Sequence, residues 1–284
     1  MSKFDFKHDI DIAWCPGCGN FPLRQAILKA LEELNLDQTQ VVFSSGIGQA
    51  AKMPQYIDAS YFNGLHGRGL AVAQAIQSVN PKLVVIAEGG DGDMYGEGGN
   101  HFLHNVRRNP NLAHIVHNNM IYGLTKGQGS PTSPKGLKTT TQVSGVYNEP
   151  LNPVALALAL GASFVGRAFT GDVEKTKEII KAAIAHEGYA IVDIFHPCVT
   201  YNKVNTFAWY KNNSYWLNQE EHNAQDFSAA MNLALNQEKF ALGILYQNKD
   251  KTPFHKAHPY YVNDSTPLVD RPKRDITKVN ALLK

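Results

Sequence analysis

Four short stretches of the chain are apolar at nearly every position: "QVVFSS" (Gln40 to Ser45), "KLVVIAE" (Lys82 to Glu88), "LAHIVHNN" (Leu112 to Asn119) and "AIVDIF" (Ala190 to Phe195). Brief β-branched runs without polar alternation are the signature of strands buried on both faces. Between them the apolar positions recur at helical spacing. "NFPLRQAILKALEEL" places Leu23, Ile27, Leu31 and Leu34 on one face, with Asn20 as the expected N-cap and Pro22 in the first turn. "GRGLAVAQAIQSVNP" is rich in Ala and Gly, which allows close packing, and Pro81 marks its end. "GDVEKTKEIIKAAIAHEG" opens at a capping Asp172 and closes at Gly188, with Val173, Ile180 and Ile184 inward. Strand and helix alternate. The fold class this predicts is α/β, a mostly parallel sheet with helices on both faces.

After about residue 205 the pattern loosens. "QEEHNAQDFSAAMNLALNQ" predicts one more helix, and from Lys249 onward the chain is polar and punctuated by proline, which reads as an extended surface arm available to a partner. The expected division is therefore a domain over residues 1–215 and a C-terminal helix and arm over 216–284.

Composition narrows the class. The chain has 284 residues, 43% hydrophobic and 18% charged, with a formal net charge of +2. That is a soluble globular balance, and it offers no electrostatic footprint for nucleic acid or a membrane surface. The opening "MSKFDFKHDI" lacks the apolar core of a signal peptide, and the most apolar run, "VALALALGASFVG", is too short to span a bilayer. Three cysteines are too few for a disulfide framework. The expectation is a cytoplasmic protein.

The chemistry concentrates where a buried strand ends at Glu88 and runs into Gly89, Gly90, Asp91, Gly92 and Asp93. Parallel sheets bind ligands at the carboxyl ends of their strands. Glycines let backbone amides approach an anion, and a helix expected near Asn100 presents its N-terminus to the same place. A carboxylate beside bound phosphate calls for a magnesium ion between them. Asn118 and Asn119 close the next strand after residues 93–117, so one strand–helix–strand passage brings both ends to one sheet edge. Asp91 and Asn119 then offer two oxygens to one metal, and a backbone carbonyl nearby could add a third. By itself "GDG" is also a hairpin turn signal. Its spacing to "NN" is what makes it informative.

"WCPGCGN", Trp14 to Asn20, carries two cysteines separated by two residues. The pattern fits a thioredoxin-like dithiol, half of a zinc site or half of an iron–sulfur site. A thioredoxin-like motif needs a strand just before it, and only a short polar segment precedes Trp14.

GDG followed at this spacing by NN is the thiamine pyrophosphate motif. The strings "SGIGQAAK", "LHGR", "GDGD", "GGNHF", "RRNP", "NNMIYGLTKGQ" and "SPTSP" resemble, in order, the β subunit of 2-oxoacid:ferredoxin oxidoreductases over roughly residues 12–215. The resemblance implies that Asp91, Asn119 and the carbonyl of Ile121 bind magnesium. It implies that Gly90, Gly92, Asp93, Gly123, Leu124 and Thr125 line the diphosphate. Gly46, Ile47 and Gly48, with His66, Gly67 and Arg68, are similar to the segments facing the thiazolium and substrate. His66 reads as catalytic or as hydrogen-bonded support. Lys52 reads as a solvated lysine or as a contact to the substrate carboxylate. In such proteins the paired cysteines hold a [4Fe–4S] cluster with a third cysteine after "GIG" and a fourth in a "PC" context. Cys15, Cys18 and Cys198 match, but the third position is Gln49. The surviving set could hold a cluster with another ligand, a three-iron form, or zinc with one non-cysteine ligand.

The implied activity is decarboxylation of a 2-oxo acid, with electrons passed through iron–sulfur centres to ferredoxin and the acyl group to coenzyme A. Nothing in the chain resembles the pyrimidine-binding half of such enzymes. A partner α subunit or domain is expected to supply it. Gln49 keeps a second class in view, the thiamine half-subunit of a non-redox 2-oxo acid decarboxylase, which needs no cluster. A zinc-bound scaffold is the non-enzymatic alternative.

Overall fold

The computed structural model describes residues 2–236, 238–272 and 275–282. Among these, eight strands form one sheet: β1 (Val41–Ser45), β2 (Ser60–Asn63), β3 (Val84–Gly90), β4 (Leu112–Asn118), β5 (Phe164–Phe169), β6 (Tyr189–Phe195), β7 (Ser214–Trp216) and β8 (Phe240–Gln247). Their spatial order is β2-β1-β3-β4-β6-β5-β8-β7. Every pairing is parallel except that of β5 with β8.

Side chains alternate between two apolar layers, as a strand's period of two requires. Ile86 of β3 packs with Phe43, Ile115 and Val192 against Leu23, Ile27 and Leu31 of α1 (Asn20–Glu33) and Ile179 and Ile180 of α5 (Val173–Ala185). Its neighbours Val85 and Ala87 face the other layer. There α2 (Gly69–Val79), α3 (Gly99–Arg108), α4 (Pro153–Ala159) and α7 (Phe227–Leu235) contribute Leu70, Phe102, Val106, Val154 and Ala230. Helices cover both faces, which explains the unbroken apolar strands. Asp172 caps α5 as its sequence predicts, accepting from the Lys175 amide at 3.0 Å.

Several expectations need correction. Gly19, not Asn20, is the N-cap of α1, and Asn20 is fully buried in the first turn. The helix expected near Asn100 is present as α3 from Gly99, but a π-helical segment, Gly92–Glu97, precedes it and stands closer to the strand end. The division at residue 215 falls inside β7, and β8 joins the main sheet through β5. Nor is the tail a free arm. Asn109, left-handed at φ 55° just after α3, donates its side-chain amide to the carbonyls of Lys251 and Thr252. Farther on, the buried Tyr261 donates its hydroxyl to the Ser78 carbonyl at 2.7 Å.

The order of strands fixes where a ligand can sit. From β1 the chain moves outward to β2; from β3 it moves the opposite way to β4. The crevice between the carboxyl ends of β1 and β3 is therefore a topological switch point, the place where open parallel sheets bind ligands.

Candidate functional site: two cavities with a common wall

At this switch point one cavity is lined by Ile47, Gly48, Gln49 and Ala50 after β1, by Gly90, Asp91, Gly92 and Asp93 after β3, and by Asn119, Ile121, Gly123, Leu124 and Thr125 after β4, with His66 closing one side. Asp91 is buried, and burial pushes its carboxyl up to about 6 against the lowering effect of two hydroxyl donors. Those donors are Ser130 Oγ at 2.5 Å and Thr132 Oγ1 at 2.7 Å, both to Oδ2. Neither carries a formal charge, so the carboxylate has hydrogen bonds but no cation. Asn119 is oriented by its own turn: its Oδ1 accepts from the Ile121 amide at 3.0 Å. Met120, between them, has φ 59°, and this left-handed residue bends the chain across the strand end. Asn118 serves the scaffold instead, donating to the buried Asp193 at 3.0 Å.

Asp93 is a clasp as well as a wall. Its Oδ1 accepts from the Gly67 amide at 2.7 Å and the Ile47 amide at 3.0 Å, so one carboxylate joins the loops after β1 and β2. Burial raises its pKa and these amides oppose the rise. The close approach dictates glycine at two positions. A Cβ on Gly46 would stand 2.3 Å from Asp93 Oδ2, and Gly67, at φ +71°, lies against the Glu97 backbone. His66 Nδ1 lies 3.1 Å from Asp93 Oδ1 and 3.3 Å from Glu97 Oε2.

Of the residues singled out by sequence, Gly46, Lys52, Gly67 and Arg68 do not line this cavity, the two glycines lying behind it against Asp93 and Glu97. Lys52 is half-buried on the turn at residues 50–56, and Arg68 is exposed at the head of α2. Ser130 and Thr132, in the "SPTSP" string, were legible only as part of a resemblance. Tyr122 carried no signal. Its ring covers Gly92, where a Cβ would come within 2.1 Å of it, and its hydroxyl donates to Glu97 Oε2 at 3.1 Å.

A second cavity, about 140 Å³, is lined by Cys15, Cys18, Cys198, Trp14, Asn20 and His196, and shares Gln49, Asn119, Gly123 and Leu124 with the first. The structure thus brings the three cysteines to one place across some 180 residues of sequence. None is in a disulfide. Burial pushes the Cys18 thiol up to about 11, the opposite of an activated dithiol. Among the described residues no three His, Cys, Asp or Glu side chains gather closely enough to hold a single metal ion. Zinc would need its thiolates about 2.3 Å from one centre. An iron–sulfur cluster takes its thiolates on different irons, spaced around a larger body. By the same volume measure one water needs roughly 10–15 Å³, so this space suits a group of atoms better than one ion.

The polar lining agrees. Behind the lining residue Asn20, Glu88 and His117 are fully buried and 2.7 Å apart, and burial pushes the acid up and the imidazole down to about 3. The pair is therefore neutral: Glu88 donates to His117 Nε2, and His117 Nδ1–H donates to Asn20 Oδ1 at 2.8 Å. That network assigns the Asn20 amide and leaves its Nδ2 as a buried donor with no partner at the cysteine cavity. Sulfide and thiolate are acceptors that such a donor would serve.

Residues 38–194 match the family described as thiamine pyrophosphate enzyme, C-terminal TPP binding domain, and residues 198–263 match the family describing the C-terminal part of the pyruvate ferredoxin oxidoreductase β chain. The 2-oxoacid:ferredoxin oxidoreductase 2 subunit beta of Aeropyrum pernix is 38% identical over 266 residues, covering 90% of this chain and 86% of its own. A 2-oxoacid:ferredoxin oxidoreductase subunit beta of a Sulfolobus species is 39% identical across 95% of both chains. The chain belongs to this β-subunit family. It is a thiamine pyrophosphate-binding subunit of a 2-oxoacid:ferredoxin oxidoreductase, an enzyme subunit that works with a partner. A solved 2-oxoglutarate:ferredoxin oxidoreductase from Magnetococcus marinus, with 2-oxoglutarate, coenzyme A and succinyl-CoA bound, matches this β subunit with a TM-score of 0.89 at 35% identity over 100% of both chains. The non-redox decarboxylase reading finds no support among these relatives.

Proposed function

We propose that this β subunit, assembled with a partner α subunit, oxidises a 2-oxo acid to acyl-coenzyme A and carbon dioxide and passes the electrons to ferredoxin through an iron–sulfur cluster in the cysteine cavity. The observation that carries the proposal is the wall common to the two cavities. Gln49, Asn119, Gly123 and Leu124 separate a diphosphate-type site from three converging cysteines by one layer of residues.

The first cavity fits thiamine pyrophosphate with magnesium. A buried carboxylate with a raised pKa and no cationic partner suits a hard divalent ion, as do the side-chain oxygen of Asn119 and the carbonyl of Ile121. Gly90, Gly92, Asp93, Gly123, Leu124 and Thr125 would surround the diphosphate. When bound, the cofactor supplies the carbon that adds to the substrate carbonyl and the electron sink that lets carbon dioxide leave. The chain's own residues bind and orient. Ser130 and Thr132 hold Asp91 in one rotamer, and Asp93 ties the loops carrying Gly46–Gly48 and His66–Gly67 together. His66 lies against two carboxylates, Nδ1 3.1 Å from Asp93 Oδ1 and 3.3 Å from Glu97 Oε2, at the side of the cavity where substrate would approach. Arg68 and Lys52 would meet the substrate carboxylate only in a pocket completed by the partner.

The second cavity would take an iron–sulfur cluster, which when bound would supply single-electron acceptance. Cys15, Cys18 and Cys198 would hold it, with Asn20 Nδ2 donating to its sulfur.

A partner surface is present beside the first cavity. Edge strand β2 leaves Tyr61 and Phe62 about half exposed, Leu65 follows at 76% exposure, and Ile47 sits at the same rim. Apolar groups clustered around a site mouth mark an interaction surface. Among the described residues no helix is long and apolar enough to cross a membrane, and thiolate ligands suit the reducing cytoplasm, where we place the complex. Reconstitution tests the proposal. The assembled complex, with thiamine pyrophosphate, magnesium, coenzyme A and ferredoxin, should turn over a 2-oxo acid, and this chain alone should not. Robust turnover by the isolated chain would contradict it.

A further inference from the structure

We propose that Gln49 supplies, through Oε1, the fourth protein ligand of the iron–sulfur cluster, so that one iron is held by oxygen and can be exchanged while the others are held by sulfur. The proposal rests on the reading of the cysteine cavity as an iron–sulfur site.

Gln49 stands at the end of the loop after β1 and lines the cavity with all three cysteines. Its backbone is fixed there. The carbonyl accepts from the Trp14 indole N–H at 2.9 Å, tying it to the residue beside Cys15, and its αR conformation starts the turn over residues 50–56. Its side-chain Oε1 is buried without a hydrogen-bond partner, although buried amide oxygens are normally matched. Three thiolates satisfy three corners of a cubane, and the fourth iron then needs a donor from the same wall. On the wall shared with the first cavity Gln49 Oε1 is an acceptor with nothing to accept from. His196, whose ring nitrogens are also unmatched, lines the cysteine cavity but not that wall, and a Gln49→Leu variant that keeps its fourth iron would assign the ligand to His196 instead. Asn20 Nδ2, the other unmatched amide atom, is a donor and cannot ligate.

Oxygen from a neutral amide differs from a thiolate in two ways. It is a hard, weak donor for iron, so the iron it holds is the one released first. It also removes one negative charge from the cluster, which makes reduction easier than with four thiolates. Oxidation by ferricyanide would take one electron from a [4Fe–4S]2+ core, giving ferrocyanide and a [4Fe–4S]3+ core. Loss of Fe2+ from Gln49 then leaves [3Fe–4S]+. Adding Fe2+ and one electron from dithionite reverses the change.

The test uses the complex assembled with its partner and purified without oxygen, as wild type, Gln49→Cys and Gln49→Leu. Iron, sulfide and zinc are measured, and electron paramagnetic resonance follows the oxidised samples. Wild type should contain iron and sulfide in equal amounts, lose iron on oxidation with appearance of the three-iron signal, and recover with Fe2+ and dithionite. Gln49→Cys should release iron on the order of tenfold more slowly or less, the scale on which ligand-shell changes alter metal retention, and should have a lower reduction potential. Gln49→Leu should be isolated already in the three-iron form. Wild type lacking iron and sulfide would overturn the cluster reading and this proposal together. A clustered wild type whose iron release and potential match those of both variants would overturn the role of Gln49 alone.

Discussion

Two cavities meet at the carboxyl edge of the sheet, and they differ in how far their prospective ligand atoms are already matched. In the diphosphate-type cavity the functional oxygens are already positioned: Asp91 by Ser130 and Thr132, Asp93 Oδ1 by two backbone amides, Asn119 by the amide of Ile121. In the cysteine cavity Gln49 Oε1, Asn20 Nδ2 and both ring nitrogens of His196 are buried with no partner. In the first site the oxygens expected to meet magnesium are held by the protein, while Asp93 Oδ2 and His66 Nδ1 there remain unmatched. The second has polar groups that an occupant would match, as expected where binding free energy is also folding free energy. The common wall makes each cavity sensitive to the other, yet their ligands are separate, so they should fail separately.

Asp91→Ala should have the largest effect. Removing the charged magnesium ligand should lower turnover of the assembled complex by more than ~100-fold, beyond the 10–100-fold typical of supporting partners, while iron and sulfide content stay unchanged. Next in size is Cys198→Ala. It should abolish iron and sulfide retention and ferredoxin reduction, yet leave thiamine pyrophosphate binding, measured by calorimetry, within about threefold. Loss of cofactor binding in that variant would break the separation.

Thr132→Ala is a finer probe. Ser130 still bonds Asp91, so the cofactor–magnesium affinity should fall by roughly tenfold, the low end for a supporting hydrogen bond. The Thr132 hydroxyl also lies 2.9 Å from Asn118 Oδ1, and its one hydrogen serves one acceptor at a time. The pH response is smaller still near neutrality. Asp91 has a folded pKa near 6 against an ordinary 3.8, so the folded, cofactor-free protein binds the extra proton. Its contribution makes stability fall as pH rises from about 4 to about 6, and stability is flat above that. Magnesium must displace the same proton. Cofactor–magnesium affinity should therefore weaken as pH falls through about 6, by about tenfold per unit below it, and a titration series from pH 5 to 8 would show it.

Much of this was legible in sequence because the signals are local or periodic. The unbroken strands ending at Glu88 and Asn119 gave away a parallel sheet, and GDG with NN gave away the edge where a ligand binds. The α5 cap at Asp172 follows from one residue. What escaped depends on contacts distant in sequence. β5 contains Gly166 and Arg167, and β8 contains Gly243; these interrupt an apolar run, and the buried Arg167 is explained by Asp193 on the neighbouring strand and by the rings of Phe195 and Phe240 beneath its guanidinium. Asn20 looks like a cap, but its side chain is engaged by His117 from β4, 97 residues away. Ser130 and Thr132 sit in a loop without periodicity, and only the fold shows that they face Asp91. The tail reads as an arm because its few anchors, such as Tyr261 and the backbone bonded by Asn109, are single contacts in a polar segment.

If the two cavities work together, electrons released in the first reach the second. The most direct measurement is rapid-freeze electron paramagnetic resonance of the anaerobic, thiamine pyrophosphate-loaded complex after mixing with its 2-oxo acid, with Cys198→Ala alongside. A reduced-cluster signal should rise with carbon dioxide release in the wild type and be absent in the variant. Carbon dioxide release with no reduced cluster in the wild type, or the same signal in both, would contradict that transfer.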